Sequence, residues 1–358
     1  MYVARLKRVL LPVLVVLAIV VLTRVFRTDG PASVLKQIDT DWKRFTHLSH
    51  KDSMNGTTSR RFTQALNYTE RLRAAYAPTT GHVNPHNFRL VLDEPWACLD
   101  PQTESAKRVF LLVLVASAQD NFKRRQAIRE TWGSPRELEG LPVVTLFLLA
   151  AKGNVYHHKV VKESAEHHDL LMEDFVDSYK NLTLKTMMAM KWASTHCPQA
   201  SFVMKTDDDM FVSYRNLLDY AAVMGPFTAN LALGFVIAGQ SPIRKPDSKW
   251  YMPRDLYPGD AYPPWLSGGG FVVSGDVPGK VYDASLDIRY LHLEDVFVGV
   301  CLDKLNIKPI MNRQFSNSRI KYSYCRFRYV ITAHSYDTVQ LKFMWEDLLV
   351  EKPCWLWT

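Results

Sequence analysis

The chain has 358 residues, 47% hydrophobic and 22% charged, with a formal net charge of +8. That is ample for a buried core of one large or two ordinary domains and excludes disorder as the dominant state. With 16 Gly, 19 Pro and 5 Cys it is neither collagen-like nor a small disulfide scaffold.

Residues 1–30 hold Arg5, Lys7, Arg8, Arg24 and Arg27 against Asp29, a local +4 that leaves only +4 for the other 328 residues. Nucleic acid is therefore not an expected partner. From Val9 to Leu22 no side chain is charged or strongly polar, and three basic residues precede the run. A cleaved signal peptide has the same shape. No small-x-small cleavage triplet follows, so an uncleaved anchor over 9–26 is the reading, behind a cytosolic tail over 1–8. A span of about 18 residues is short for a bilayer and suits the thinner membranes of the early secretory route. Later apolar residues come in short bounded runs, which excludes a polytopic membrane protein.

Residues 27–104 are polar, lack sustained periodicity and read as a luminal stem. They contain the glycosylation triplets at Asn55 and Asn67, and a third follows at Asn181. All five cysteines, Cys98, Cys197, Cys301, Cys325 and Cys354, lie beyond the anchor, where disulfides form. An odd count leaves one thiol unpaired or joined to another chain, which keeps a homodimer open. No Cys-x-x-Cys pair is present, against a zinc or thioredoxin-type site.

From residue 105 to 358 the texture is that of a folded domain. The runs VFLLVLVA (109–116), PVVTLFLL (142–149), DLLMEDF (169–175) and SFVMK (201–205) predict strands, separated by segments of helical spacing. Strand alternating with helix implies an α/β fold with a parallel-rich sheet. After the first strand, Arg125 and Arg129 fall four apart on one helical face. There they either reach a nucleotide phosphate or base or form a solvated basic face. Trp132 reads as core. Over 181–197, Leu184, Met187, Met188 and Trp192 make an apolar stripe that packs on the sheet, with Lys185 and Lys191 off it. Asp177 precedes that helix, as a cap or as a ligand contact.

The sharpest chemical signal is Asp207-Asp208-Asp209 at the end of the apolar strand from Phe202. Three buried unpaired charges would be prohibitive, so the triplet belongs at the strand's end, where open α/β sheets bind ligands. Period-two geometry sends Asp207 and Asp209 to one face, a hard-oxygen site for Mn²⁺ or Mg²⁺ held together with substrate phosphates. Ser267-Gly-Gly-Gly270 either brings backbone close to a ligand or forms a turn or bulge. Trp265, after Tyr262-Pro-Pro, supplies an aromatic wall suited to a sugar face. Glu294-Asp295 opens a helical stretch, as a helix-end charge or as acid–base machinery. His334 follows a strand, as a structural or ligating histidine.

These motifs, in this order over about residues 95–350, resemble the β1,3-galactosyltransferase and β1,3-N-acetylglucosaminyltransferase family of Golgi enzymes. The resemblance rests on RQAIRETW (125–132), DFVDSYKNLTLKT (174–186), KTDDDMFV (205–212), YPPWLSGGG (262–270) and EDVFVG (294–299). It implies a single Rossmann-like nucleotide-sugar transferase domain of the GT-A type in a type II Golgi membrane protein. It also implies an inverting transferase moving galactose from UDP-galactose to a terminal N-acetylglucosamine, or related hexosamine, of a glycoprotein or glycolipid glycan. By resemblance the base is Asp295. The Mn²⁺ ligands are Asp209, His334 and Asp207, and the donor contacts are Arg125, Arg129, Asp177, Lys205, Asp207 and Asp208. Trp265, Gly268, Gly269 and Glu294 then face the acceptor, and the disulfides pair Cys98 with Cys197 and Cys301 with Cys325, leaving Cys354 free or intermolecular. Ala150 departs from a glycine often found there. The aspartate triplet looks more like the N-acetylglucosaminyl branch, whereas LHLED (291–295) and TLKTMM (183–188) look more like the galactosyl branch, so UDP-N-acetylglucosamine is the alternative donor. A non-catalytic glycan-binding relative and a metal-dependent nuclease or phosphatase are the competing classes.

Overall fold

The computed structural model describes residues 81–151, 157–225 and 228–354. The expected tail, the anchor and the sequons at Asn55 and Asn67 lie outside them. Among the described residues no helix is long and apolar enough to cross a membrane.

In chain order the strands are β1 (Leu90–Leu92), β2 (Leu111–Ala116), β3 (Glu137–Leu138), β4 (Leu141–Ala150), β5 (Leu170–Glu173), β6 (Phe202–Asp207), β7 (Met210–Val212), β8 (Ala232–Ile237), β9 (Trp265–Ser274), β10 (Ile310–Met311) and β11 (Thr332–His334). The helices are α1 (Phe122–Glu130), α2 (His157–His167), α3 (Leu182–His196), α4 (Tyr214–Met224), α5 (Val277–Leu286), α6 (Glu294–Lys304), α7 (Tyr324–Phe327) and α8 (Thr338–Leu349). The main sheet runs β1-β5-β4-β2-β6-β9-β8-β10, with β3 on β4, while β11 and β7 pair separately. Its centre, β5-β4-β2-β6, is parallel, as the alternation of strand and helix requires.

Every side chain of β2 is buried, because the sheet is covered on both faces. Leu112 and Leu114 enter one core with Met187, Trp192 and Phe297, whereas Leu111, Val113 and Val115 enter the other with Ile128, Trp132 and Leu341. Trp132 is core as expected, its indole N–H donating to the Met210 carbonyl at 2.9 Å.

Two sequence expectations need correction. Helix α3 packs between the sheet and helices α5 and α6, so it is buried nearly all round, and Lys185 and Lys191 are buried with it. Part of the expected stem also belongs to the folded unit. Strand β1 adds antiparallel to β5, His86 lies 2.7 Å from buried Glu173, and Cys98 bonds Cys197. The folded unit therefore starts before residue 105.

The pairing Cys98–Cys197 is as expected. The second is not: Cys325 joins Cys354, and Cys301 is the free one. Cys301 lies on α6 in the core, fully inaccessible, with its thiol pushed up to about 12 by burial. No thiol among the five is left for an intermolecular bond.

Candidate active site

Strands β2 and β6 run parallel from Leu111 opposite Phe202 to Ala116 opposite Asp207, so both end at one edge. There the order of connections reverses, with β4 on one side of β2 and β6 on the other. Such a switch point opens a crevice at the carboxyl ends of the strands.

The three aspartates leave β6 in a tight turn into β7, and each takes a different environment. Asp208 turns inward: Ser117 Oγ and Asn121 Nδ2 donate to its Oδ2 at 2.6 and 2.8 Å, and Arg124 Nη1 is 3.4 Å from Oδ1. Burial nevertheless holds its carboxyl above the usual range. Asp209 stays half-exposed, with Oδ2 3.3 Å from His334 Nε2 and 4.0 Å from Arg124. Burial opposes its ionisation, but His334 and Arg124 outweigh that and hold its pKa low. Strand register explains the meeting, since β11 pairs with β7 and sets His334 opposite Met210, the residue after Asp209. The Asp209 contact raises the His334 pKa, while Nδ1 lies 2.7 Å from Ser335 Oγ.

Asp207 belongs to a drier network. Fully buried Lys205 spends its ammonium on Asp207 Oδ1 at 2.8 Å, the Gly268 carbonyl at 2.8 Å and Glu294 Oε1 at 2.7 Å. Burial disfavours that charge, but the two carboxylates hold the lysine protonated. One ammonium thus ties the end of β6 to β9 and to the start of α6.

Leu293 occupies the N-cap position of α6 without a side-chain cap, and Glu294 and Asp295 open the helix. Asp295 Oδ1 accepts from the Val296 N–H at 2.8 Å and Oδ2 from Trp265 Nε1 at 3.1 Å; among the described residues no lysine or arginine forms an ion pair with it. Burial is the main cause of its raised pKa. Burial, with repulsion from Asp207 and Asp295, likewise pushes Glu294 up to about 7 against the pull of Lys205. Glycine makes the close packing possible: a Cβ on Gly268 would stand 3.2 Å from Glu294 Oε1, and one on Gly299 2.4 Å from Trp265 Cβ. The Gly triplet lies within β9 at a bulge, since Gly234 of β8 faces Phe271 while Val236 faces Leu266, which leaves Ser267–Gly270 as the extra residues.

A cavity of about 520 Å³ opens here, with Asp207, Gly268, Gly269, Glu294, Asp295 and His334 in its wall. Asp209 joins through its contact with His334. Other expected contacts are placed elsewhere. Arg125 is fully buried, its guanidinium spent on Glu163 and on the carbonyls of Ala118 and Gln119. Arg129 pairs with Glu163 and Asp169. Arg125 therefore shapes the β2–α1 turn and Arg129 ties α1 to α2 and to the start of β5, and neither lines the cavity. Asp208 and Lys205 serve the frame in the same way. Trp265 and Tyr262 line the cavity as expected but are only 6% and 8% exposed, so they offer it little ring surface, and Trp265 also holds Asp295.

Asp177 accepts from Lys185 at 2.9 Å through Oδ1, and its Oδ2 is buried with no hydrogen-bond partner among the described residues. Of the expected donor contacts outside the acidic turn it alone has a spare acceptor. Asn181, partly exposed, donates its amide to the Val176 carbonyl, and the sequon's Thr183 is buried and bonded to the Leu291 carbonyl.

Three residues escaped the sequence reading. Arg124, 40% exposed, is the arginine beside the acidic turn, one position before the one singled out. Lys185 looked like an off-stripe surface lysine, yet it fastens Asp177 to the Ser117 carbonyl. Tyr179, within the second motif, lines the cavity with its ring half exposed.

A family model described as Galactosyltransferase matches residues 123–313. Beta-1,3-galactosyltransferase 1 of Homo sapiens and of Mus musculus are each 44% identical over 278 residues, which cover 76% of this chain and 82% of the relative. Beta-1,3-galactosyltransferase 2 of Mus musculus is 40% identical over 280 residues, covering 76% of this chain and 65% of the relative.

Proposed function

The chain belongs to the galactosyltransferase family, and on that premise we propose that it transfers galactose from UDP-galactose to the 3-hydroxyl of a terminal N-acetylglucosamine on a glycan, with inversion. The observation that carries the mechanism is Asp295, a largely buried carboxylate in the cavity wall, oriented by Trp265, with a raised pKa and no lysine or arginine ion-paired to it among the described residues. Forming a β bond from an α-linked donor in one step needs such a base. As the acceptor oxygen bonds to the sugar's anomeric carbon, the bond to the diphosphate breaks, the hydroxyl proton passes to Asp295, and UDP leaves. Glu294, tied to Lys205, fixes the start of α6 and so the height of Asp295 in the cavity.

The donor set of Asp209 and His334 fits Mn²⁺. It combines a hard carboxylate oxygen with an imidazole nitrogen 3.3 Å away, and His334 Nδ1 is already engaged with Ser335. Among the described residues no group of three or more His, Cys, Asp or Glu is gathered for an ion. Two protein ligands, with Asp207 nearby, would leave the remaining positions to diphosphate and water. When bound, the ion neutralises charge on the departing diphosphate. Arg124 and the spare acceptor of Asp177 serve the donor from the chain itself.

Two disulfides support a luminal domain, and with the basic-flanked apolar run at 9–26 they favour a type II Golgi protein. The test is UDP release with UDP-galactose and UDP-N-acetylglucosamine, with and without Mn²⁺, on acceptors ending in N-acetylglucosamine, followed by NMR of the product linkage. A β1,3-galactoside is expected. Preference for UDP-N-acetylglucosamine overturns the donor, and no release with either donor overturns the enzyme.

A further inference from the structure

The sequence placed the sugar-stacking surface at Tyr262 and Trp265, which the structure buries. The exposed ring faces in the same cavity are Tyr179, from the turn before α3, and Trp250, from the loop over 240–262, each 48% exposed. We propose that Tyr179 and Trp250 form a platform at the cavity mouth that binds a second sugar of the acceptor, one residue beyond the hexose that receives the transfer.

The loop presents Trp250 deliberately. Arg244 donates to the carbonyls of Met252 at 2.7 Å and Gly259 at 2.6 Å, the Met252 N–H bonds the Ile243 carbonyl at 2.8 Å, and the Met252 side chain is fully buried. A loop fastened at these points had the means to tuck an indole inside, yet it holds it half in solvent. Lys249 steadies the pair, its ammonium 4.5 Å from the Trp250 ring centroid and 5.9 Å from that of Tyr179. Amphipathic rings held rigidly at small entropic cost suit the apolar face of a sugar, and the polar edges of Tyr179 and Lys249 suit its hydroxyls.

The two ends of the cavity also differ in chemistry. The floor carries Asp207, Glu294 and Asp295, all carboxylates, where a hydroxyl must lose a proton. The mouth, with Tyr179, Ile243 and Trp250, carries ring and aliphatic surface that can grip a neutral sugar but has no group to react with it. A ligand spanning both is at least a disaccharide, with its terminal hexose on the floor.

The proposal rests on the glycosyl-transfer reading, so its test has one readout with transfer and one without. The first is the ratio of kcat/KM for a disaccharide ending in N-acetylglucosamine to that for N-acetylglucosamine itself. The ratio should exceed unity in the wild type and drop by on the order of tenfold in Trp250→Ala, the size of one aromatic contact, with Trp250→Phe keeping most of it. An unchanged ratio in Trp250→Ala overturns the platform. The second is saturation-transfer NMR of the same disaccharide without donor. Saturation should reach both sugars in the wild type and fade from the second in Trp250→Ala. Failure of the disaccharide to bind, or binding through the terminal sugar alone, overturns the platform even where transfer proceeds. Saturation of both sugars with no transfer to any acceptor would sink the transferase reading and leave the platform standing.

Discussion

At the acidic turn Asp209 sits half-exposed beside His334 and Arg124, and its pKa is held low. At the start of α6, Glu294 and Asp295 are buried against β9, and theirs are raised. The same functional group is thus prepared as a permanent anion on one side of the cavity and as a proton acceptor on the other. Burial and the position of one lysine make the difference: Lys205 pairs directly with Asp207 and Glu294, and among the described residues none forms an ion pair with Asp295. Transfer needs both sides, because a departing diphosphate has to be met by fixed charge and ions while a hydroxyl has to be met by a base.

The comparison breaks most sharply at its two ends. Asp295→Asn should lower transfer by roughly 10² to 10⁴, the range for losing a positioned base, while donor KM stays close to wild type. Asp209→Asn should also suppress transfer strongly, but its signature is a shift in the Mn²⁺ dependence, which Asp295→Asn should lack. Titrating Mn²⁺ against both variants distinguishes the sides; identical Mn²⁺ curves would mean that the two carboxylates share one role.

Next in size is the tie between the sides. Lys205→Met leaves Glu294 buried without its cation and Asp207 part-exposed without its own, and removing one member of a buried ion pair costs about 3 to 5 kcal/mol. Urea denaturation at pH 7.5 should show a loss of this order. A variant as stable as wild type would mean that water compensates the two carboxylates, and that the buried side is wetter than the packing implies. On the open side, Arg124→Ala should cost far less stability, because the side chain is 40% exposed. Its expected effect is on the order of a tenfold rise in donor KM, the scale of one charge-assisted contact. An unchanged donor KM would remove Arg124 from the donor's path.

The legible parts of this molecule were those written in local pattern. The alternation of apolar runs with helical spacing gave the parallel centre of the sheet, and a carboxylate triplet at a strand end gave the crevice. The pair opening α6 was legible because an acidic dipeptide before an apolar helix has few other placements. What stayed hidden was burial of charge, which depends on partners far along the chain. Arg125 is buried because Glu163 comes up from α2, and Lys185 because α5 and α6 close over α3. Neither partner is marked in the local sequence. Trp250 and Trp265 were likewise indistinguishable as letters, and only the loop's fastening exposes one while Gly299 lets α6 cover the other. The second cysteine pairing differed for the same reason, since Cys301 is placed in the core by a helix whose neighbours are remote in sequence.

The finest test of the comparison uses pH. Glu294, whose pKa is pushed up to about 7 mainly by burial, loses its proton within the working range, whereas Asp209, held below 3.8, stays ionised throughout it. His334 also titrates on the open side, but it is common to the wild type and to Glu294→Gln, so the difference between the two isolates Glu294. Below about pH 6 the wild-type side chain is neutral and resembles glutamine in shape and charge, so transfer rates should nearly coincide. Above about pH 7 the wild type gains an anion beside Asp295, which should favour proton removal, and the variant should fall behind by a few-fold. Stability should move the opposite way. Between pH 4.5, the ordinary glutamate value, and about 7, the folded state keeps a proton that the unfolded state has released. The contribution of this group to stability therefore declines as pH rises through that window and levels off above it. Glutamine does not titrate, so Glu294→Gln should gain stability relative to wild type from pH 5 to pH 8, as read from denaturation midpoints at the two values. Parallel pH profiles in both rate and stability would mean that Lys205 holds Glu294 ionised throughout, in which case both sides of the cavity carry permanent anions and Asp295 alone is tuned to accept a proton.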